Sequence, residues 1–109
     1  MIGIGTWKGN VQARLFSGDV EVVVIDNNGE YDFDFKLPGK LSMVKINVLE
    51  VNEVGTDTLE GKGAIRGIIP GKEIIAEVSC TFSGDTMNAT VSIPKYGMGF
   101  KIKDGVRIA

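Results

Sequence analysis

Histidine is absent from this sequence, and cysteine occurs once. Without an imidazole, the chain lacks the usual neutral-pH general base and the commonest transition-metal ligand. The single thiol, Cys80, has no second cysteine for an internal disulfide and no histidine for a zinc site or a nucleophile pair. It reads as a small apolar core residue. No run is apolar for long enough to cross a bilayer as a helix, so no membrane span is expected. The opening MIGIGTWKG has neither a charged n-region nor a continuous apolar h-region. The expected location is therefore cytoplasmic if the chain is whole, and secreted or periplasmic if a leader has been removed. A basic surplus is missing too, with 12 Lys and Arg against 14 Asp and Glu. Lys8, Lys36, Lys45, Lys62 and Lys101 are scattered singly, without the basic stripe of a nucleic-acid binder, so no nucleic-acid partner is expected.

Period-2 alternation, by contrast, is abundant, and helical periodicity is nearly lacking. In EYDFDFKL, residues 30–37, Tyr31, Phe33, Phe35 and Leu37 share one face, while Glu30, Asp32, Asp34 and Lys36 share the other. That division suits a half-buried antiparallel strand. DNNG, residues 26–29, supplies a tight turn, and the β-branched DVEVVVI, residues 19–25, precedes it, so the three make a hairpin. Further strands are expected over 41–51, with a bulge or bend near Glu50, and over 58–69, 73–82, 86–93 and 98–108. In the strand over 58–69, Leu59, Gly61, Gly63, Ile65, Gly67 and Ile69 share a face. Its three alternate glycines imply a tight bend or a close approach by something bulky. In the last strand Met98, Phe100, Ile102, Val106 and Ile108 are expected inward, with a bulge at Asp104 and Gly105. FSGD at 16–19 and 82–85 reads as one turn chemistry used twice, as does PGK at 38–40 and 70–72. The three prolines, Pro38, Pro70 and Pro94, sit at strand ends, where a missing N–H costs little.

Eight strands joined by short loops, with no room for crossover helices, form an antiparallel up-and-down meander. A flat meander would leave two raw edges; pairing the first strand with the last removes them. The expectation is one all-β domain over residues 1–109, an eight-stranded antiparallel up-and-down barrel. GIGTWKGNV at 3–11 then makes sense, since Gly3, Gly5 and Gly9 let the first strand curl and Trp7 plugs one end. A Gly-x-Trp opening such as GTWKG at 5–9 resembles the calycin superfamily of lipocalins, fatty-acid-binding proteins and avidins. The resemblance implies a basic residue late in the last strand lying across the tryptophan. Arg107 is the matching position, and cation–π stacking would give it a physical reason. The chain is also similar, over nearly its whole length, to a bacterial lipocalin-like family of calycin-like barrels, which brings no established activity. It departs from typical lipocalins in being short and in lacking their C-terminal helix and disulfide. It also lacks the Asn, Ser and multiple-Trp set with which avidins hold biotin.

Three functions follow as expectations. The leading one is a small apolar ligand in the barrel interior, touching Trp7, Phe33, Phe35, Phe82 and Phe100. Against it stands a filled interior, which suits so short a chain. The second is a non-catalytic structural or interaction module, a self-associating homodimer using outward Val23, Ile25, Leu49, Val51 and Ile75. The third, an enzyme, would rest on Asp32 and Asp34 or on Glu50 and Glu53. Carboxylates on the water-facing side of a strand have no substrate cavity, so no catalytic residue, cofactor or metal is expected.

Overall fold

Alternation in the sequence becomes eight strands in a computed structural model that describes residues 1–13, 17–39, 44–67 and 70–109. They are β1 (Gly5–Gln12), β2 (Ser17–Asn27), β3 (Glu30–Lys36), β4 (Lys45–Val54), β5 (Thr58–Arg66), β6 (Glu73–Ser83), β7 (Thr86–Ile93) and β8 (Met98–Arg107). A 3-10 turn at Pro94–Tyr96 precedes β8, and Gly97 closes it in the left-handed conformation. All pairings are antiparallel, and the sheet order is β3-β2-β1-β8-β7-β6-β5-β4. The chain is therefore an all-β, up-and-down barrel, nearly closed. The expected closure of first strand on last is present, with Trp7 opposite Arg107 and Val11 opposite Ile102.

The break falls elsewhere, between β3 and β4, which stand at the two ends of the hydrogen-bonded order. A tight LPGK turn would have joined these two strands as a hairpin. Instead β3 ends at Lys36 and β4 begins at Lys45, a separation beyond the two to five residues that enforce hairpin register. The expected strand start at 41–43 and the inward Ile69 lie outside the described residues, as do Phe16 of the first FSGD and Lys40 of the first PGK.

Two other expectations change. The tripeptide Ser-Gly-Asp at 83–85 does turn, with Gly84 at φ +58°. At 17–19 it is strand instead, pairing with Gln12, Val11 and Asn10. Pro38 packs over Gly18 there, so tertiary contact overrides local turn preference. In β8 the bulge is where the sequence placed it: Asp104, at φ +54°, and Gly105 together oppose Gly9 of β1. Its consequence is a reversal of alternation, because one extra residue flips every later side chain. Val106 and Ile108 turn out to solvent, at 47% and 50% exposure, while Gly105 and Arg107 take the inward places.

Trp7 is fully buried and closes one end of the barrel. Phe82 tilts against it at 4.9 Å between ring centroids, and the Arg107 guanidinium lies 4.5 Å from the indole centroid. The indole Nε1 donates to the Gly3 carbonyl at 2.9 Å. Gly3 has φ +68°, and a Cβ there would fall 2.5 Å from the Phe82 ring, so only glycine lets the N-terminal residues fold over the plug. Gly9 is bare for a different reason, since a Cβ would meet Ile102 Cγ2 at 2.5 Å beneath the bulge. Around the plug, Val11, Val20, Val22, Val24, Leu59, Cys80, Met87, Ala89 and Ile102 form one buried cluster. Ile65, Ile74, Ala76, Val91 and Ile93 form a second, and Val78 and Phe100 touch both.

Arg107 also donates from Nη1 to the Ile4 carbonyl at 2.6 Å. Replacing it with alanine removes the cation–π contact and a charged hydrogen bond. Arg107→Ala should lower stability by about 1–2 kcal/mol in urea unfolding followed by Trp7 emission, and Arg107→Lys should recover only part of the loss.

Candidate functional site

The β3–β4 seam is where the wall gives way, and each strand turns an apolar row toward it. Alternation puts Tyr31, Phe33 and Phe35 of β3 half-buried on the inner side, with Glu30, Asp32, Asp34 and Lys36 exposed. Phe33 and Phe35 stack at 5.9 Å with an interplanar angle of 14°. On β4, Ile46, Val48 and Val51 face inward; the expected irregularity near Glu50 is a register shift between Val48 and Glu50 that throws Leu49 out to 54% exposure.

One end of the seam is latched. The Tyr31 hydroxyl accepts from the Ile2 N–H at 2.6 Å and donates to Glu53 Oε1 at 2.9 Å, tying β3, β4 and the N-terminal residues together. Burial pushes the Tyr31 pKa up, the Ile2 N–H pulls it down, and the Glu53 carboxylate raises it again, so the phenol stays protonated and able to donate. Midway along β3 the Phe33 N–H is taken by the Asp32 carboxylate at 2.8 Å rather than by a neighbouring strand. At the far end the seam opens into a cleft of about 500 Å³ lined by Asp34, Phe35, Lys36, Leu37, Val44, Lys45 and Ile46.

Behind the seam lies a small cavity of about 30 Å³, lined by Phe33, Phe35, Ile46, Val48, Val51, Leu59, Gly61, Gly63, Val78 and Cys80, and also by Glu50, Glu60 and Lys62. Its volume is roughly that of one water molecule, and the surface exposed within it is almost wholly apolar. Gly61 and Gly63, on the bare face of β5 expected from their alternation, line it beside the Phe33–Phe35 pair, and β4 approaches both closely. Gly61 is also where the β4 bulge presses in, since a Cβ there would stand 2.5 Å from the Glu50 carbonyl.

Of the five aromatic residues singled out for ligand contact, then, Phe33 and Phe35 line this cavity. Trp7 and Phe82 pack on each other at the plugged end, and Phe100 sits half-buried between the two core clusters. Gly61 and Gly63 apart, the cavity's remaining lining, and Lys36 and Lys45 at the cleft, carry no signal of a shared site in local sequence, because only the break between β3 and β4 brings them together. Asp32 and Asp34 project outward from β3, and Glu50 and Glu53 are exposed on β4. Glu50 borders a polar outer hollow of about 460 Å³ with Glu60, Lys62, Glu77, Thr90 and Ser92. Among the described residues, no three His, Cys, Asp or Glu side chains are placed to hold a metal ion, and no helix is long and apolar enough to cross a membrane. Compared with known protein families, curated proteins and solved structures, the chain matches none.

Burial pushes the Cys80 thiol up to about 12 from its ordinary 9.0. Unfolding returns it to the ordinary value, so its contribution to stability is complete below about pH 9 and is lost as pH rises toward about 12. Cys80→Val removes that titration. Its urea midpoint should fall less steeply than the wild type's between those two limits.

Proposed function

We propose that the protein is a non-catalytic, calycin-like barrel that takes a small apolar ligand behind the β3–β4 seam. One observation carries the reading: the apolar cavity lies directly behind the β3–β4 interruption, the one break in the hydrogen-bonded wall among the described residues. Everywhere else, opening the interior would break ladder hydrogen bonds; here it requires only that apolar side chains part. The resting cavity is too small for an organic ligand, so binding displaces Phe33 and Phe35, which belong to an edge strand and are only half-buried. The GTWKG opening and the Arg107–Trp7 stacking support the calycin part of the reading.

A titration with the neutral fluorophore 1-aminoanthracene tests it. The probe's emission should rise and shift blue with the wild type. Val78→Phe, which fills the void at a cost of about 1–3 kcal/mol, should weaken binding at least ten-fold with the far-ultraviolet circular dichroism unchanged. No emission change with the wild type, or unaltered binding by the filled variant, removes the reading.

A second reading, a filled-core module that self-associates, draws on the outer surface. The outward set expected from the sequence does not form one face, because Val51 points inward and Ile75 lies on β6, with three strands between it and β2. The β8 bulge assembles another instead: Val23 and Ile25 of β2 and Val106 and Ile108 at the end of β8 flank Thr6 of β1. Light scattering should then give twice the chain mass, and Ile25→Glu with Val106→Glu should return the monomer. A monomeric wild type rules this second reading out.

A further inference from the structure

We propose that the barrel end opposite Trp7 is a docking surface for an anionic lipid bilayer, resting on the loop tips at Lys72 and Lys95 with Tyr96 and Met98 dipped into the interface. Docking of this kind needs neither the seam nor a ligand behind it. Chain direction sorts the charges. Strict up-and-down order brings β1, β3, β5 and β7 to finish at one end, at Gln12, Lys36, Arg66 and Ile93. The opposite end, closed by Trp7, holds both termini and the turns at 28–29, 55–57 and 84–85. Lysines that look scattered along the sequence are thereby gathered. Each connection at the first end, taken with the strand ends that flank it, contributes to a set of Lys36, Lys45, Arg66, Lys72 and Lys95 among the described residues, against the one acid Glu73. Glu73 is itself bridged to Arg66 at 2.7 Å. Arg14 and Lys40 stand in sequence on the two further connections there, outside the described residues. The Trp7 end is the reverse, with Glu30, Asp57 and Asp85 against Arg107, and with Asp26 and Glu53 one residue further in.

The gathered cations are short of partners. Lys45, Lys72 and Lys95 are exposed and make no ion pair among the described residues. Like charges collected on one end repel one another, and an anionic surface relieves that repulsion. What stands between the cations favours lipid over nucleic acid. Pro94, Lys95 and Tyr96 form the 3-10 turn that Gly97 ends, Met98 follows, and all five are exposed. Tyr96 is the one exposed ring among the described residues at this end, and the Lys95 ammonium lies 5.9 Å from its centroid, where a stacked base would need an open face. Met98 offers a flexible apolar chain and no flat face at all. A tyrosine ring beside a lysine stem suits the bilayer interface, because ring and methylenes enter the headgroup zone while the ammonium meets lipid phosphates. Few apolar side chains are immersed, so charge supplies most of the attraction, and attachment is reversible and salt-sensitive.

Co-sedimentation with phosphatidylcholine vesicles, with and without one-third phosphatidylglycerol, tests the docking surface at low and at physiological salt. The wild type should bind the anionic vesicles about ten-fold or more tightly than the neutral ones, and added salt should weaken that binding. Lys72→Gln with Lys95→Gln should weaken it about ten-fold or more. Lys8→Gln with Lys103→Gln, an equal loss of charge away from this end, should leave it nearly unchanged. Orientation has its own readout: with brominated lipid in the anionic vesicles, the emission of Tyr96→Trp should be quenched, and that of Trp7 in the wild type should not. The substituted positions are all exposed, and far-ultraviolet circular dichroism verifies that each variant keeps the barrel. Absence of binding to the anionic vesicles, equal binding to the neutral ones, equal effects of the two lysine pairs, or quenching of Trp7 overturns the docking surface. A single-stranded oligonucleotide bound as tightly as the anionic vesicles assigns this end to nucleic acid and overturns the lipid partner.

Discussion

The pairing of β1 with β8 around Trp7 is the constraint from which the other features follow. Trp7 and Arg107 occupy facing positions in that ladder, so the inward reach of one requires the inward reach of the other. An uninterrupted β8 would have carried Val106 and Ile108 inside and put Arg107 in water. The Asp104–Gly105 bulge shifts the phase by one residue, and the guanidinium then arrives over the indole. A burial of this kind, on the order of 4–6 kcal/mol for a wholly enclosed indole, depends on a plug with no gap. The close approach of Gly3 to Phe82, the Nε1–Gly3 hydrogen bond and the Arg107–Ile4 bond close that end from above.

Joining the first strand to the last also decides where the barrel stays open. Eight strands in strict up-and-down order have eight neighbour relations around a closed wall. Seven are hydrogen-bonded ladders here, six between consecutive strands and one between β1 and β8. The remaining relation, β3 with β4, has no ladder among the described residues. Side-chain contacts part at far lower cost than a ladder of buried backbone bonds, which is why the seam is the soft line of this molecule. Its two ends differ: a three-way polar tie at Tyr31 fixes one, and a cleft bordered by lysines marks the other.

Much of this was legible in the residues themselves. The 30–37 alternation, the DNNG hairpin, the irregularity near Glu50 and the bulge at Asp104–Gly105 all rest on local rules of pleat and turn, and they stand where those rules put them. The alternate glycines at 61 and 63 foretold a bare inner face. What local rules do not carry is phase after a bulge, seen in Val106 and Ile108, and the identity of the unpaired neighbours. Ser-Gly-Asp shows the same limit, turning at 83–85 and extending at 17–19 because Pro38 lies across Gly18. For the site, Phe33 and Phe35 could be picked out as inward aromatics, whereas Lys36, Lys45 and Glu53 become partners only through the seam.

An open seam poses a hazard, since unpaired strand edges recruit further strands. The acidic row of β3 bears on that hazard directly. Asp32 and Asp34 invited a catalytic reading as a carboxylate pair, but their geometry serves the edge: Asp32 occupies the Phe33 N–H that an incoming strand would need, and Glu30, Asp32 and Asp34 place three like charges along six or so ångströms of rise per alternate residue. A second β3 approaching this edge in parallel register would bring the same charges against them. Such a row repels strands while leaving the inner, aromatic side of β3 untouched. The two sides of one short strand thus separate two tasks, keeping backbone partners out with carboxylates and letting side chains part over an apolar void. That separation lets a barrel leave one wall unzipped while blunting the edge it exposes on β3.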